Sequence, residues 1–154
     1  MADLQCGYLD LYLIHFPISL KFIPFDQVYP PTWPKDVNDW SKGMDEDNVP
    51  IHETWKAMED LYDGGKIKNI GVSNFNVVVI RDILSYCRIK PVVNQVEIHP
   101  YNSQEALVRF CKENGIATLI NRPFMRGRLF RETQNRILPE WCSELEIASW
   151  GQFF

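Results

Sequence analysis

The sequence has no excess of positive charge, no long apolar run and no closely paired cysteines, and each absence removes a class of function. Lysine and arginine number 16 against 20 aspartates and glutamates, a formal net charge of −4. That balance leaves no basic footprint for nucleic acid and no polybasic stripe for an anionic membrane. No stretch approaches the ~18 consecutive apolar residues that a membrane-spanning helix needs. Residues 1–7 have neither the cationic start nor the apolar centre of a secretory signal. Cys6, Cys87, Cys111 and Cys142 form no C-x-x-C pair, a spacing that suits reduced, buried thiols in a cytoplasmic protein better than a disulfide framework or a zinc site. No glycine-rich phosphate loop is present, because Gly64-Gly65 precedes a strand pattern rather than opening a helix. A flavin- or phosphate-binding barrel is therefore the weaker reading, and Arg122, Arg126, Arg128 and Arg131 read as a solvated loop face.

What is present is an ordinary globular composition, 45% hydrophobic and 23% charged over 154 residues, enough for one domain with a core. Residues 9–15 are apolar and end at Pro17, which reads as a strand buried on both faces, with Tyr8 and Tyr12 packing the core. Residues 17–49 are rich in proline and aromatics, a length usually reserved for a functional loop. Pro50 is placed to occupy the first position of a helix carrying Trp55, Met58, Leu61 and Tyr62 at helical spacing, stopped by Gly64-Gly65. A strand over 66–72 follows, then a helix opening at Phe75-Asn76 with Val79, Ile80, Ile83 and Leu84 on its apolar face. A third strand spans 91–96. Ser103 is placed to cap a helix that Asn114-Gly115 ends, and a fourth strand spans 116–120. A last helical pattern runs from Pro139 onward. Strand starts near Lys66, Pro91 and Ile116 recur at the spacing of one strand plus one helix. Periodicity leaves a closed barrel and an open doubly wound sheet equally open, although four strands cannot close a barrel of eight.

In either architecture ligands bind where the strands end. Those positions carry His15, Ser73-Asn74, Gln95 with Glu97, and Asn121-Arg122. Hydroxyl, primary amide and imidazole groups suit a flat, neutral, polar ligand, of which a nicotinamide carboxamide is one. A neutral imidazole can also orient a substrate carbonyl by donating a hydrogen bond to it.

At these residues a resemblance becomes specific. Leu9-Asp10-Leu11-Tyr12-Leu13-Ile14-His15-Phe16-Pro17, Thr54-Trp55-Lys56-Ala57-Met58-Glu59, Ile70-Gly71-Val72-Ser73-Asn74-Phe75 and Val93-Asn94-Gln95-Val96-Glu97-Ile98-His99-Pro100-Tyr101 follow one another as in the aldo-keto reductases. The match is continuous over 4–119. The long loop, with Phe22, Pro30-Pro31 and Trp33, is most similar to the xylose-reductase branch. The resemblance implies an α/β fold, a partial (β/α)8 TIM barrel of about four parallel strands with flanking helices. Residues 1–154 would form one partial barrel domain, with a substrate-side loop at 17–49 and a divergent loop and helix at 121–154. It implies NADPH (NADP) as cofactor and a small-molecule carbonyl as substrate. His15 would be the catalytic histidine, Ser73, Asn74 and Gln95 would bind the cofactor, and Trp33 and Phe16 would line the substrate pocket. His99 and Tyr101 read as structural, and His52 as a solvated helix residue.

Two departures accompany the resemblance. Most of the family ends its seventh strand in a tyrosine followed by serine and proline, where this chain has Asn121-Arg122-Pro123. That segment and the tail resemble a different, bacterial branch. The family's catalytic aspartate, tyrosine and lysine have no counterpart among the 154 residues, so the chain alone is expected to be inactive. The alternative is a noncatalytic half barrel that self-associates through its open sheet edges.

Overall fold

Glycine, asparagine and proline set the borders of the elements. The structure, a computed structural model, describes residues 4–24, 36, 39 and 43–121. Pro50 ends an extended approach and stands as N-cap of α1, Ile51–Asp63, one position earlier than the sequence reading placed it. Gly64 and left-handed Gly65 (φ 68°) close this helix, a conformation that glycine adopts without a Cβ penalty. Asn76 caps α2, Val77–Tyr86, its side chain accepting from the Val79 N–H. α3, Glu105–Glu113, is preceded by Gln104 in a left-handed conformation with no side-chain cap. Ser103 therefore does not cap it: the turn delivers Gln104 to the cap position and sends its amide to the Glu97 carbonyl at 2.8 Å.

Between these helices lie β1 (Tyr12–Ile14), β2 (Ile70–Ser73), β3 (Val93–Glu97) and β4 (Ala117–Asn121). They form one sheet in the order β1-β2-β3-β4, parallel throughout. Strand order equal to chain order carries no reversal point, which a doubly wound sheet requires. The helices also share one face. Ile70, Val72 and Val96 join Trp55, Met58, Ile80, Ile83, Leu107 and Cys111 in a single buried cluster, with Ile14 and Ile120 packed against it. On β4, Ala117, Leu119 and Asn121 are exposed while Thr118 and Ile120 are half-buried. Successive strand residues point to opposite faces, so no described helix covers the odd-numbered face. One-sided helices on a sequentially ordered parallel sheet are four consecutive units of a (β/α)8 barrel.

β1 corrects one sequence expectation. It is an edge strand of three residues, and Leu11 and Tyr12 are exposed. Tyr8 lies outside the core as well, its ring under the Lys68 ammonium at 3.6 Å. The apolar run 9–15 is read as doubly buried only if chains flank it on both sides, and here β2 is its single described neighbour. Leu61 and Tyr62 on α1 are likewise exposed, whereas Glu59 is buried. Cys111 alone of the described cysteines is fully buried, and Cys6 and Cys87 are half-buried free thiols. The Pro139 helix and the arginine loop lie outside the described residues.

The two ends of the loop at 17–49 meet. Leu20 bridges Glu46 in antiparallel fashion, with Lys21 N–H donating to the Asp45 carbonyl at 2.9 Å and Asp47 N–H to the Ser19 carbonyl at 2.8 Å. No described helix is long and apolar enough to cross a membrane.

Candidate active site at the carboxyl ends of the strands

The register brings the strand ends together in rows. Leu13, Gly71, Val93 and Ala117 form one row, since Leu13 pairs with Gly71 and Val93 with Ala117, and Gly71 and Val93 each precede the paired Val72 and Asn94. Two residues farther along, Ser73 pairs with Gln95 and Gln95 with Leu119. His15 follows Ile14, the partner of Val72, and so stands level with Ser73. His15, Ser73, Gln95 and Leu119 are therefore consecutive members of one row on the face that no described helix covers. Glu97 and Asn121 pair one step beyond.

A hydrogen-bonded clasp ties the row together. Asn74, in a left-handed conformation (φ 62°), donates its backbone N–H to the Gln95 carbonyl at 2.9 Å. Ser73 Oγ donates to the same carbonyl at 2.8 Å. The Asn74 amide donates to the His15 carbonyl at 2.9 Å and to Ser73 Oγ at 3.1 Å. Three strands thus meet at one turn. Ser73 is buried, Asn74 and His15 are exposed, and Gln95 is intermediate. The His15 and Phe16 rings stack at 4.1 Å in a tilted arrangement. Trp33 lies outside the described residues.

The polar groups left over define what such a mouth would take. Among the described residues no hydrogen bond engages the Gln95 amide, and Asn74 Oδ1 accepts none. One NH2, one amide oxygen and a second amide oxygen are thereby uncommitted, a set that matches a carboxamide's own carbonyl and NH2. No described group of histidines, cysteines and carboxylates could hold a metal ion. His99 sits one turn on, its Nδ1 accepting from the Tyr101 N–H at 3.2 Å and its Nε2 3.7 Å from Glu97. It belongs to the tight turn in which His99 and Asn102 exchange backbone hydrogen bonds.

Comparison with known proteins decides the family. The model of the aldo/keto reductase family matches residues 1–143. The chain belongs to that family. It is 45% identical over 125 residues to an NAD(P)H-dependent D-xylose reductase of Kluyveromyces lactis, and 48% identical over 125 residues to an NADPH-dependent aldose reductase of Saccharomyces cerevisiae. Each alignment covers 80% of this chain and 38% of the relative. Among solved structures, aldose reductase from Giardia lamblia superposes with a TM-score of 0.67 at 41% identity, covering 80% of this chain and 38% of that one. An aldo-keto reductase of Bombyx mori in complex with NADP gives a TM-score of 0.65 at 39% identity, covering 82% and 36%. The chain spans a little over a third of the length of these relatives.

Two residues of this aldo/keto reductase chain whose side chains hold backbone groups between elements were not singled out by sequence reading. Asn94 is wholly buried on the helix face of β3, its amide donating to the Phe75 carbonyl at 2.9 Å and accepting from the Phe75 N–H at 3.4 Å. A signal existed: Asn94 and Gln95 are adjacent polar residues in one strand, and alternation forces one of them under the helices. Glu59 accepts the Arg88 and Ile89 N–H groups at 2.7 and 2.8 Å. Nothing in helical periodicity announces a buried carboxylate. Burial also pushes the Cys111 thiol up, while hydrogen bonds from Asn94 and Thr118 oppose that shift.

Proposed function

We propose that this chain is the nicotinamide-facing portion of an NADP(H)-dependent reductase that converts aldehydes and ketones, aldoses such as xylose among them, to alcohols. The observation that carries this reading is the shared row of His15, Ser73 and Gln95, locked by Asn74. Ser73, Asn74 and Gln95 would hold the carboxamide of NADPH. When bound, NADPH supplies the hydride. His15 would orient the substrate carbonyl by donating from a neutral ring nitrogen, stabilising the charge that develops on its oxygen. Phe16, stacked on His15, and Trp33 would line the substrate pocket.

Titration of the chain with NADPH, followed by nicotinamide fluorescence, tests this. Gln95→Leu removes a donor and an acceptor at no cost in volume, so affinity should fall about ten-fold, the worth of one or two neutral hydrogen bonds. Equal binding by parent and Gln95→Leu would reject the assigned carboxamide site. A tyrosine acid typically contributes about 10²–10⁴-fold, and on this reading that tyrosine has no counterpart in the chain. The chain by itself should therefore bind NADPH yet reduce neither xylose nor benzaldehyde at a measurable rate. Turnover that persists after purification and disappears in His15→Ala would reject the absence of an acid.

A second reading rests on the sheet face that no described helix covers, with half-buried Leu13 and exposed Leu119, and on edges at β1 and β4 that no described strand pairs. Unpaired parallel edges beside apolar surface favour pairing with another copy. Sedimentation velocity should then give a dimer or larger species. A compact monomer at micromolar concentration would remove this reading.

A further inference from the structure

We infer that Asn94 is a positioning residue for the proposed cofactor site, holding the Ser73-Asn74-Phe75 turn in its working conformation from the opposite face of the sheet. The inference rests on the cofactor reading above but not on any contact between Asn94 and a ligand. Asn94 faces the helices, wholly buried beside Cys111.

The turn needs an anchor. After Ser73 the chain leaves β2 through left-handed Asn74, a conformation that costs a non-glycine residue roughly 1–2 kcal/mol and persists only where its neighbours are fixed. On one side the Asn74 N–H is held by the Gln95 carbonyl. On the other, Phe75 is buried, and its N–H and C=O have left the sheet ladder. Among the described residues both are satisfied by a single side chain, the Asn94 amide, which substitutes for a missing peptide. Asparagine alone fits this task. Aspartate lacks the donor, leucine lacks both groups, and glutamine is one methylene too long for both contacts at this strand spacing.

The consequence reaches the other face of the sheet. Phe75 fixed by Asn94 fixes the torsion of Asn74, and the Asn74 amide then reaches the His15 carbonyl. Without the anchor Asn74 relaxes toward extended backbone, and its amide leaves the His15 carbonyl. Neighbouring residues 94 and 95 of one strand thus divide the work: Gln95 faces the ligand and Asn94 holds the turn that faces it from the next strand.

Asn94→Leu and the smaller Asn94→Ser, both in the full chain, test this against Leu107→Ala, which perturbs the same buried cluster from α3 and removes no hydrogen bond. In the Asn94 variants the Phe75 amide should exchange with solvent about ten-fold faster or more, since one hydrogen bond's worth of protection is lost. The Val96 amide serves as the internal reference and should keep its rate. The NMR shifts of Asn74 and His15 should move, and NADPH affinity should fall about ten-fold. Leu107→Ala should leave both the shifts and the affinity unchanged at a comparable loss of thermal stability. Unchanged Phe75 exchange and Asn74 shifts in both Asn94 variants would overturn the inference, as would an affinity loss matched by Leu107→Ala. If the parent chain binds no NADPH, the cofactor reading fails, while exchange and shifts still decide the role of Asn94.

Discussion

Gly71→Ala should destabilise the chain by about 2–3 kcal/mol, the usual cost of forcing extra volume into a packed interior. A Cβ built at Gly71 would stand 2.7 Å from Val93 Cγ1, 2.8 Å from Leu13 Cδ2 and 2.8 Å from the Val93 carbonyl oxygen. The first two atoms belong to side chains that can rotate. The carbonyl oxygen cannot move unless β2 and β3 separate. The pairing between these strands is short, at Val72–Asn94 and Ser73–Gln95, the first rung adjoining Gly71 and the second one residue farther on. The strain therefore falls on the rungs that carry the site, and NADPH binding should weaken together with stability. Thermal unfolding by circular dichroism should show a midpoint lower by roughly 5–15 °C, from the usual relation between free energy and midpoint for a domain of this size. A midpoint within about 2 °C of the parent would mean that Leu13 and Val93 absorb the methyl group, and that close strand approach is not what places glycine there.

Glu59→Leu should cost about 1–3 kcal/mol, because it leaves two part-buried backbone donors without their acceptor at once. Glu59 Oε1 is the acceptor for both Arg88 N–H and Ile89 N–H, where the chain passes from α2 toward β3. The Ile89 carbonyl in turn accepts from Trp55 Nε1 at 3.1 Å. One carboxylate and one indole on α1 thereby satisfy a connection that has no strand or helix to pair with. Glu59→Gln keeps an amide oxygen as acceptor and should lose about 1 kcal/mol, the difference between a charge-assisted and a neutral hydrogen bond. The Arg88 guanidinium also pairs with Asp63 at 2.6 Å, but both side chains are more than half exposed. Asp63→Asn should therefore shift stability by well under about 1 kcal/mol. Urea denaturation of the three variants distinguishes these cases. Glu59 Oε2 also stands 3.9 Å from Arg88 Nε, and equal losses from Glu59→Leu and Asp63→Asn would show that this charge pairing, and not acceptance from the part-buried N–H groups, is what Glu59 provides.

These two residues also mark where sequence reading stops. Helix ends were legible because Gly65 and Asn114-Gly115 make backbone turns that few other residues tolerate, and the strands at 70–73, 93–97 and 117–121 stood out as apolar runs. Their polar termini were legible for the same reason, so His15, Ser73 and Gln95 could be placed at one mouth before any register was known. The clasp itself was not. That Asn74 turns left-handed and reaches the His15 carbonyl depends on three strands meeting. Asn94 and Glu59 looked like ordinary members of a motif because their partners are backbone groups, which leave no trace in residue identity. The exposure of Tyr8 and Tyr12 was missed because an apolar run reports what a strand could bury, and a neighbouring chain decides whether it does.

The paired neck at Ser19–Lys21 and Asp45–Asp47 has an evolutionary consequence. It pins the entry and exit of the intervening segment, so that the sheet does not register how many residues run between them. Chain-closure entropy grows only logarithmically, about 0.6 kcal/mol for each doubling of length. Insertions, deletions and wholesale replacement inside the neck are therefore nearly neutral for stability. Selection can rewrite the segment between the two sides of the neck while the neck and the described sheet stay constant.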